Sequence, residues 1–205
     1  MTVESKRPVV FLDRDGTLNE ERGYIRNLDD LVLIPGAARA VRKLNEAGVA
    51  AILASNQSGA ARNYYPLSHI EKLHERLQSL LSKEGASLDA IYFCPHLPEG
   101  VMPELAISCS CRKPDIGLVE RAFAEHPDLD RCQSFMVGDK TADLGLANNC
   151  GAKCILVETG YGLSLLESKA HLNYRIDYQA RSIAEAVDWA LLEISAQSHA
   201  TGAKQ

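Results

Sequence analysis

No apolar run in this 205-residue chain is long enough to span a bilayer, so no membrane partner is expected. There is no surplus of positive charge either. Lys and Arg number 22 against 27 Asp and Glu, a net charge of -5. Aromatic residues are sparse at 6%, and no basic stripe interleaves with them. Nucleic acid therefore lacks support as a partner. No Pro/Gly/Ser-rich linker and no internal repeat divides the chain, and residues 1–195 are expected to form one domain able to bury a sizeable core. Residues 1–8 have no apolar stretch of the kind a signal peptide requires, and a cytoplasmic location is expected. Residues 196–205 are small and polar and read as a flexible tail.

Against those absences, Val9-Val10-Phe11-Leu12-Asp13-Arg14-Asp15-Gly16-Thr17-Leu18 stands out. A short apolar run, β-branched at its start, reads as a buried strand, and it ends in two aspartates one residue apart. At the carboxyl end of a strand in an open α/β sheet, such a pair sits where ligands bind. Two close anions repel unless a cation joins them, which points to a hard metal with oxygen ligands, most simply Mg2+. The plain alternative is a strand-end turn, for which Asp and Gly are good formers.

The six cysteines are unevenly spread. Cys94-Pro95-His96 and Cys109-Ser110-Cys111 together supply three thiolates and one imidazole, a full set for tetrahedral zinc. With all four positions filled by protein, that zinc would be structural, ordering a loop over 94–111 that has little periodicity of its own. Disulfides or buried free thiols are the alternative, and a cytosolic setting disfavours the former. Cys132, Cys150 and Cys154 lack such spacing and read as core or incidental residues.

Elsewhere the hydrophobic pattern alternates. Strands are predicted over 9–12, 49–54, 90–94, 134–137 and 154–157. Helices are predicted over 37–46, 67–84, 117–125, 141–148 and 182–194. Strand–helix alternation predicts an α/β fold with a single doubly wound parallel sheet, and it places the polar motifs along one sheet edge. Three further strand ends carry them. Ser55-Asn56-Gln57-Ser58-Gly59 offers hydroxyl, amide and backbone donors to phosphoryl oxygens, or is an ordinary polar loop. Arg112-Lys113-Pro114 places two cations beside the metal loop, suited to anchoring phosphate. In Val137-Gly138-Asp139-Lys140, Asp139 follows a strand as Asp13 does and can reach the same metal, or cap the following helix. Asp143, one turn on, is better placed to support the site from behind.

These four strand ends, in this order, resemble the motif set of the haloacid dehalogenase-like phosphatases. The Cys94-x-His96 and Cys109-x-Cys111-Arg112-Lys113-Pro114 pattern is similar to that of their zinc-loop subgroup, the histidinol phosphatases and the heptose-bisphosphate phosphatases. Gly23-Tyr24-Ile25, Leu33-Ile34-Pro35-Gly36 and Ser55 to Arg62 look like the heptose branch, with histidinol-phosphate hydrolysis as the alternative. The family pattern carries threonine at Ser55; both side chains supply a hydroxyl.

The resemblance implies a Rossmann-type sheet without a large cap domain and a phosphomonoesterase acting on a sugar bisphosphate in ADP- or GDP-heptose synthesis. It implies Asp13 as nucleophile and Asp15 as proton donor and acceptor. Mg2+ would lie between Asp13, Asp139 and the Asp15 carbonyl, and Ser55 and Lys113 would hold the phosphoryl oxygens. Glu21, Arg22, Gly23, Tyr24, Asn56, Gln57, Ser58, Arg62, Arg112, Lys113 and Lys140 are expected to contact substrate. Arg112 is the first choice for the second phosphate, with Arg22, Arg26, Arg62 and Lys140 as further candidates. An open site without a cap makes a monomer the expectation.

Overall fold

The computed structural model describes the backbone of residues 6–202 and side chains as far as Gln197. Six strands form one sheet: β1 (Arg7–Leu12), β2 (Ala50–Asn56), β3 (Ala90–Cys94), β4 (Leu129–Gly138), β5 (Lys153–Val157) and β6 (Tyr178–Ala180). Their order is β3-β2-β1-β4-β5-β6, and every pairing is parallel. The helices are α1 (Ala37–Glu46), α2 (Leu67–Ser82), α3 (Gly117–Glu125), α4 (Thr141–Cys150), α5 (Gly162–Glu167) and α6 (Ile183–Gly202).

Parallel strands buried on both faces need apolar side chains at every position, and Val9 to Leu12 and Ala50 to Ala54 are all fully buried. Alternation divides them between two cores. Val10 and Leu12 join α1, α2 and α6 on one face; Val9 and Phe11 join α3 and α4 on the other. The chain runs outward from β1 through β2 to β3, then returns to lay β4 against the other side of β1. The order thus reverses beside the carboxyl end of β1, the position where this kind of sheet leaves a crevice. Asp13 sits at its mouth, its backbone N–H bonded to the Val137 carbonyl at 3.0 Å.

The doubly wound sheet agrees with the sequence reading, with short elements added. α5 and β6 were not expected; at six and three residues they are too short to show a period. The α6 backbone is helical through Gly202. Residues 203–205 lie outside the described residues.

Candidate active site

Five loops at the carboxyl edge of the sheet wall a cavity of about 210 Å³, lined among others by Asp13, Asp15, Asn56, Lys113, Lys140 and Tyr161. At its floor the Asp13 carboxylate, 4% exposed, accepts from Ser55 Oγ at 2.8 Å and Lys113 Nζ at 2.9 Å, both at Oδ1. Burial pushes its pKa up, but the ammonium groups of Lys113 and Lys140 outweigh it and hold the group well below the usual carboxylate range. A carboxylate kept ionised at neutral pH is what a nucleophile requires. Lys113 Nζ is itself buried, donating also to the Ala54 carbonyl at 2.7 Å and Asp143 Oδ1 at 2.6 Å. Burial lowers its pKa and these two carboxylates raise it further, so it stays charged.

Asp15 lies beside Asp13. Arg14 Nε and one terminal nitrogen donate to it at 2.8–3.1 Å, Asn19 Nδ2 at 3.0 Å and Gln57 Nε2 at 2.9 Å. Gln57 Nε2 is also 3.0 Å from Ser55 Oγ. Asn56 ties two loops together: its Oδ1 accepts from the Lys113 N–H and its Nδ2 donates to the Lys113 carbonyl, both at 3.0 Å. The side chains of Asn56 and Gln57, expected at substrate, thus bond to protein groups and set the position of Lys113, Ser55 and Asp15.

Lys140 is placed differently from its expected role against a substrate phosphate. Its ammonium lies 2.6 Å from the Asp15 carbonyl, 3.1 Å from Asp139 Oδ1, 3.4 Å from Asp13 Oδ2 and 3.0 Å from Glu21 Oε2. Three of these oxygens are the set the sequence resemblance assigns to Mg2+, and the ammonium stands in for a cation among them. Ligand oxygens of Asp13, Asp139 and Asp143 lie within 4.8 Å of one another. Burial first, then the neighbouring carboxylates, push Asp139 up to about 7 despite Lys140. An all-oxygen set with crowded negative charge suits a hard divalent ion at about 2.1 Å. Asp143 is engaged elsewhere, bonded to Lys113 Nζ and accepting from the Lys140 N–H at 3.0 Å at the start of α4. Asp139 does not cap that helix, whose N-cap position is Lys140; its Oδ2 accepts instead from the Tyr161 N–H at 2.8 Å.

The loop after β5, which carries Tyr161, was absent from the expected site. Gly160 has φ +57° and Gly16 φ +89°; a Cβ on either would fall 2.1–2.2 Å from Asp139 Oδ2. The two glycines let backbone close around that carboxylate, and Thr159 Oγ1 joins them by donating to the Gly16 carbonyl at 2.6 Å. Gly160 after the Val157 strand end was the available signal. Arg14 was also missed, since a residue between two catalytic-looking aspartates just past a strand end gives no sign of which way it points.

Of the flap residues, Glu21, Gly23 and Tyr24 line the cavity, as does Ser58. Arg22, Arg62 and Arg112 are not among its walls. Arg22 pairs with Glu20 at 2.6 Å, and the two residues are neighbours on an exposed turn. Arg62 lies over the Tyr24 ring, 5.7 Å from its centroid, and Arg26 over the Tyr64 ring at 4.9 Å. Arg112 donates to the His96 carbonyl at 3.0 Å and so braces the cysteine loop. The cations that do line the cavity are Lys113 and Lys140.

Cys94, His96, Cys109 and Cys111 converge as the spacing predicts. Their Sγ–Sγ distances are 3.0–3.5 Å and His96 Nδ1 is 3.3 Å from Cys111 Sγ. None of the cysteines forms a disulfide. Sulfurs on a zinc tetrahedron with Zn–S of about 2.3 Å sit about 3.8 Å apart, so the four ligands fit that ion with a slight opening of the cluster.

A family model described as HAD-hydrolase-like matches residues 110–186. D-glycero-D-manno-heptose-1,7-bisphosphate 7-phosphatase from Thermosynechococcus vestitus is 53% identical over 187 residues, 89% of this chain and 95% of the relative. D-glycero-beta-D-manno-heptose-1,7-bisphosphate 7-phosphatase from Haemophilus ducreyi is 41% identical over 81% of this chain and 92% of its own length. Among solved structures, D,D-heptose 1,7-bisphosphate phosphatase from B. bronchiseptica, complexed with magnesium and phosphate, is 30% identical with a TM-score of 0.79, covering 91% of this chain and 99% of that one.

Proposed function

The chain belongs to the haloacid dehalogenase-like hydrolases, in the family of the heptose-bisphosphate phosphatases, and from that premise we propose that it removes the C7 phosphate of D-glycero-D-manno-heptose 1,7-bisphosphate. That it is a phosphatase follows from the family; the substrate rests on one observation, 53% identity to the T. vestitus enzyme over nearly the whole chain.

The reaction divides into two displacements. Asp13 attacks phosphorus, an acyl-phosphate bond forms, the bond from phosphorus to the C7 oxygen breaks, and Asp15 gives that oxygen its proton. Water then attacks the acyl phosphate, loses a proton to Asp15, and releases inorganic phosphate with Asp13 restored. Lys113 and Ser55, already within 2.9 Å of Asp13, meet the equatorial phosphoryl oxygens, and Lys113 keeps its charge through the contact with Asp143. Mg2+, held by Asp13, Asp139 and the Asp15 carbonyl, would offset the repulsion between a carboxylate nucleophile and a dianionic phosphate. For it to bind there, the Lys140 ammonium moves off those oxygens, and the adjoining cavity is where a phosphate oxygen would meet it. Zinc at Cys94, His96, Cys109 and Cys111 would fasten the end of β3 to the loop that carries Lys113.

The test is steady-state phosphate release with Mg2+ on both anomers of the heptose bisphosphate, on histidinol phosphate and on p-nitrophenyl phosphate. A kcat/KM preference of 100-fold or more for a heptose anomer is expected. A preference for histidinol phosphate would overturn the substrate while leaving the phosphatase in place.

A further inference from the structure

Arg14 is the largest fully buried side chain, 1% exposed, and it is not among the walls of the cavity. Its Nε and one terminal nitrogen both bond to Asp15, at 3.1 Å and at 2.8–2.9 Å. The other terminal nitrogen is buried and has no partner. Each hydrogen bond of this guanidinium therefore goes to the next residue in the chain. Even the exposed Arg175 joins distant segments, its guanidinium donating to the Ala152 carbonyl at 2.7 Å. Arg14 joins nothing distant. A charge taken out of water for the sake of one neighbour points to a duty at that neighbour.

We propose that Arg14 is a positioning residue for the proton transfers of Asp15. The inference rests on the reading of Asp15 as proton donor and acceptor. Arg14 grips both carboxylate oxygens in a planar fork, while Asn19 meets Oδ1 and Gln57 meets Oδ2. The carboxyl plane is thereby fixed against the leaving oxygen in the first displacement and against water in the second. Lysine cannot replace it, because a single ammonium supplies charge without the fork.

The demand on Asp15 depends on the leaving group. A sugar alkoxide is strongly basic and needs its proton as the P–O bond breaks; p-nitrophenolate is weakly basic and leaves without one. Arg14→Lys and Arg14→Gln should therefore lower kcat/KM about 100-fold on the sugar phosphate and less than about threefold on p-nitrophenyl phosphate. In an Asp15→Asn background, Arg14→Lys should add less than about threefold on either substrate. Equal losses on both substrates, loss on neither, or additive losses in the double variant would overturn the proposal. The unsubstituted protein gives a reading that does not depend on Arg14 variants folding. The Nε–H resonance of Arg14 should exchange slowly with solvent and shift in Asp15→Asn. A fast-exchanging resonance, or one unmoved by that substitution, would overturn it as well. If the unsubstituted enzyme prefers histidinol phosphate, the heptose reading fails and the same comparison is made with histidinol phosphate, another alkyl monoester.

Discussion

Asp13 combines burial, two lysines and a serine hydroxyl at one carboxylate, and removing its charge should remove the reaction. Asp13→Asn is expected to lower kcat by at least about 1000-fold with thermal stability and zinc content unchanged, checked by turnover, calorimetry and metal analysis. Gly160 supports the same site through absence of a side chain. Gly160→Ala combines a positive φ with a Cβ 2.2 Å from Asp139 Oδ2 and 2.6 Å from the Gly16 Cα. It should destabilise by about 1–3 kcal/mol and cut activity, read from denaturant midpoints and kcat. His74 makes a separate, pH-dependent contribution. Burial, aided by the Arg14 charge and opposed only by Asp15, pushes it down to about 3, and its Nε2 has no partner. The folded protein keeps the ring neutral while the unfolded chain protonates it near 6.5, so acid favours unfolding between those values. Between pH 7.5 and 5 the chain should lose about 2 kcal/mol that His74→Leu does not lose, measured by urea unfolding at both values. Equal losses in both proteins would remove His74 as the cause.

At the scale of elements, the segment between β3 and α3 has no helix or strand, yet it delivers Lys113 to within 2.9 Å of Asp13. Four things order it: the cysteine–histidine cluster, the Arg112 bond to His96, the paired bonds of Asn56, and two N–H groups, Val101 and Met102, on the Ala61 carbonyl. Of these the cluster alone ties both ends of the loop together through side chains, from Cys94 to Cys111. Cys109→Ala should lose bound zinc, from about one equivalent to under about 0.1, and reduce kcat/KM by about 10–100-fold. Metal analysis and limited proteolysis between residues 97 and 108 give the check. A zinc-free variant of full activity would show that the loop is ordered by its hydrogen bonds alone.

Across the molecule, one sheet separates two cores, and the site lies at the edge where they meet. Leu44 on α1 packs in one core and Leu118 on α3 in the other. Leu44→Ala and Leu118→Ala should each cost about 2–5 kcal/mol, and the double variant should show their sum to within about 0.5 kcal/mol in denaturant unfolding. Strong non-additivity would mean that the sheet transmits strain between its faces.

Sequence by itself determined the elements that have a period or a signature. Long amphipathic helices such as α2 and fully apolar strands such as β1 and β2 report their burial one residue at a time. Asp13, Asp139 and the four zinc-type ligands are legible because metal and phosphate chemistry demands particular atoms at particular strand ends. Tertiary structure decided what depends on where a side chain points. Arg22, Arg62 and Arg112 carry the charge a phosphate site needs, but local partners (Glu20, Tyr24 and the His96 carbonyl) hold them off the cavity walls. Arg14 turns inward to Asp15, Asn56 to the Lys113 backbone, and Lys140 to the carboxylate oxygens. Gly160 reaches Asp139 only because β5 pairs with β4 and brings its loop alongside. Residue type and periodicity are properties of the chain; the partner a charged group finds is a property of the packed loops, where the nearest opposite charge or carbonyl wins it.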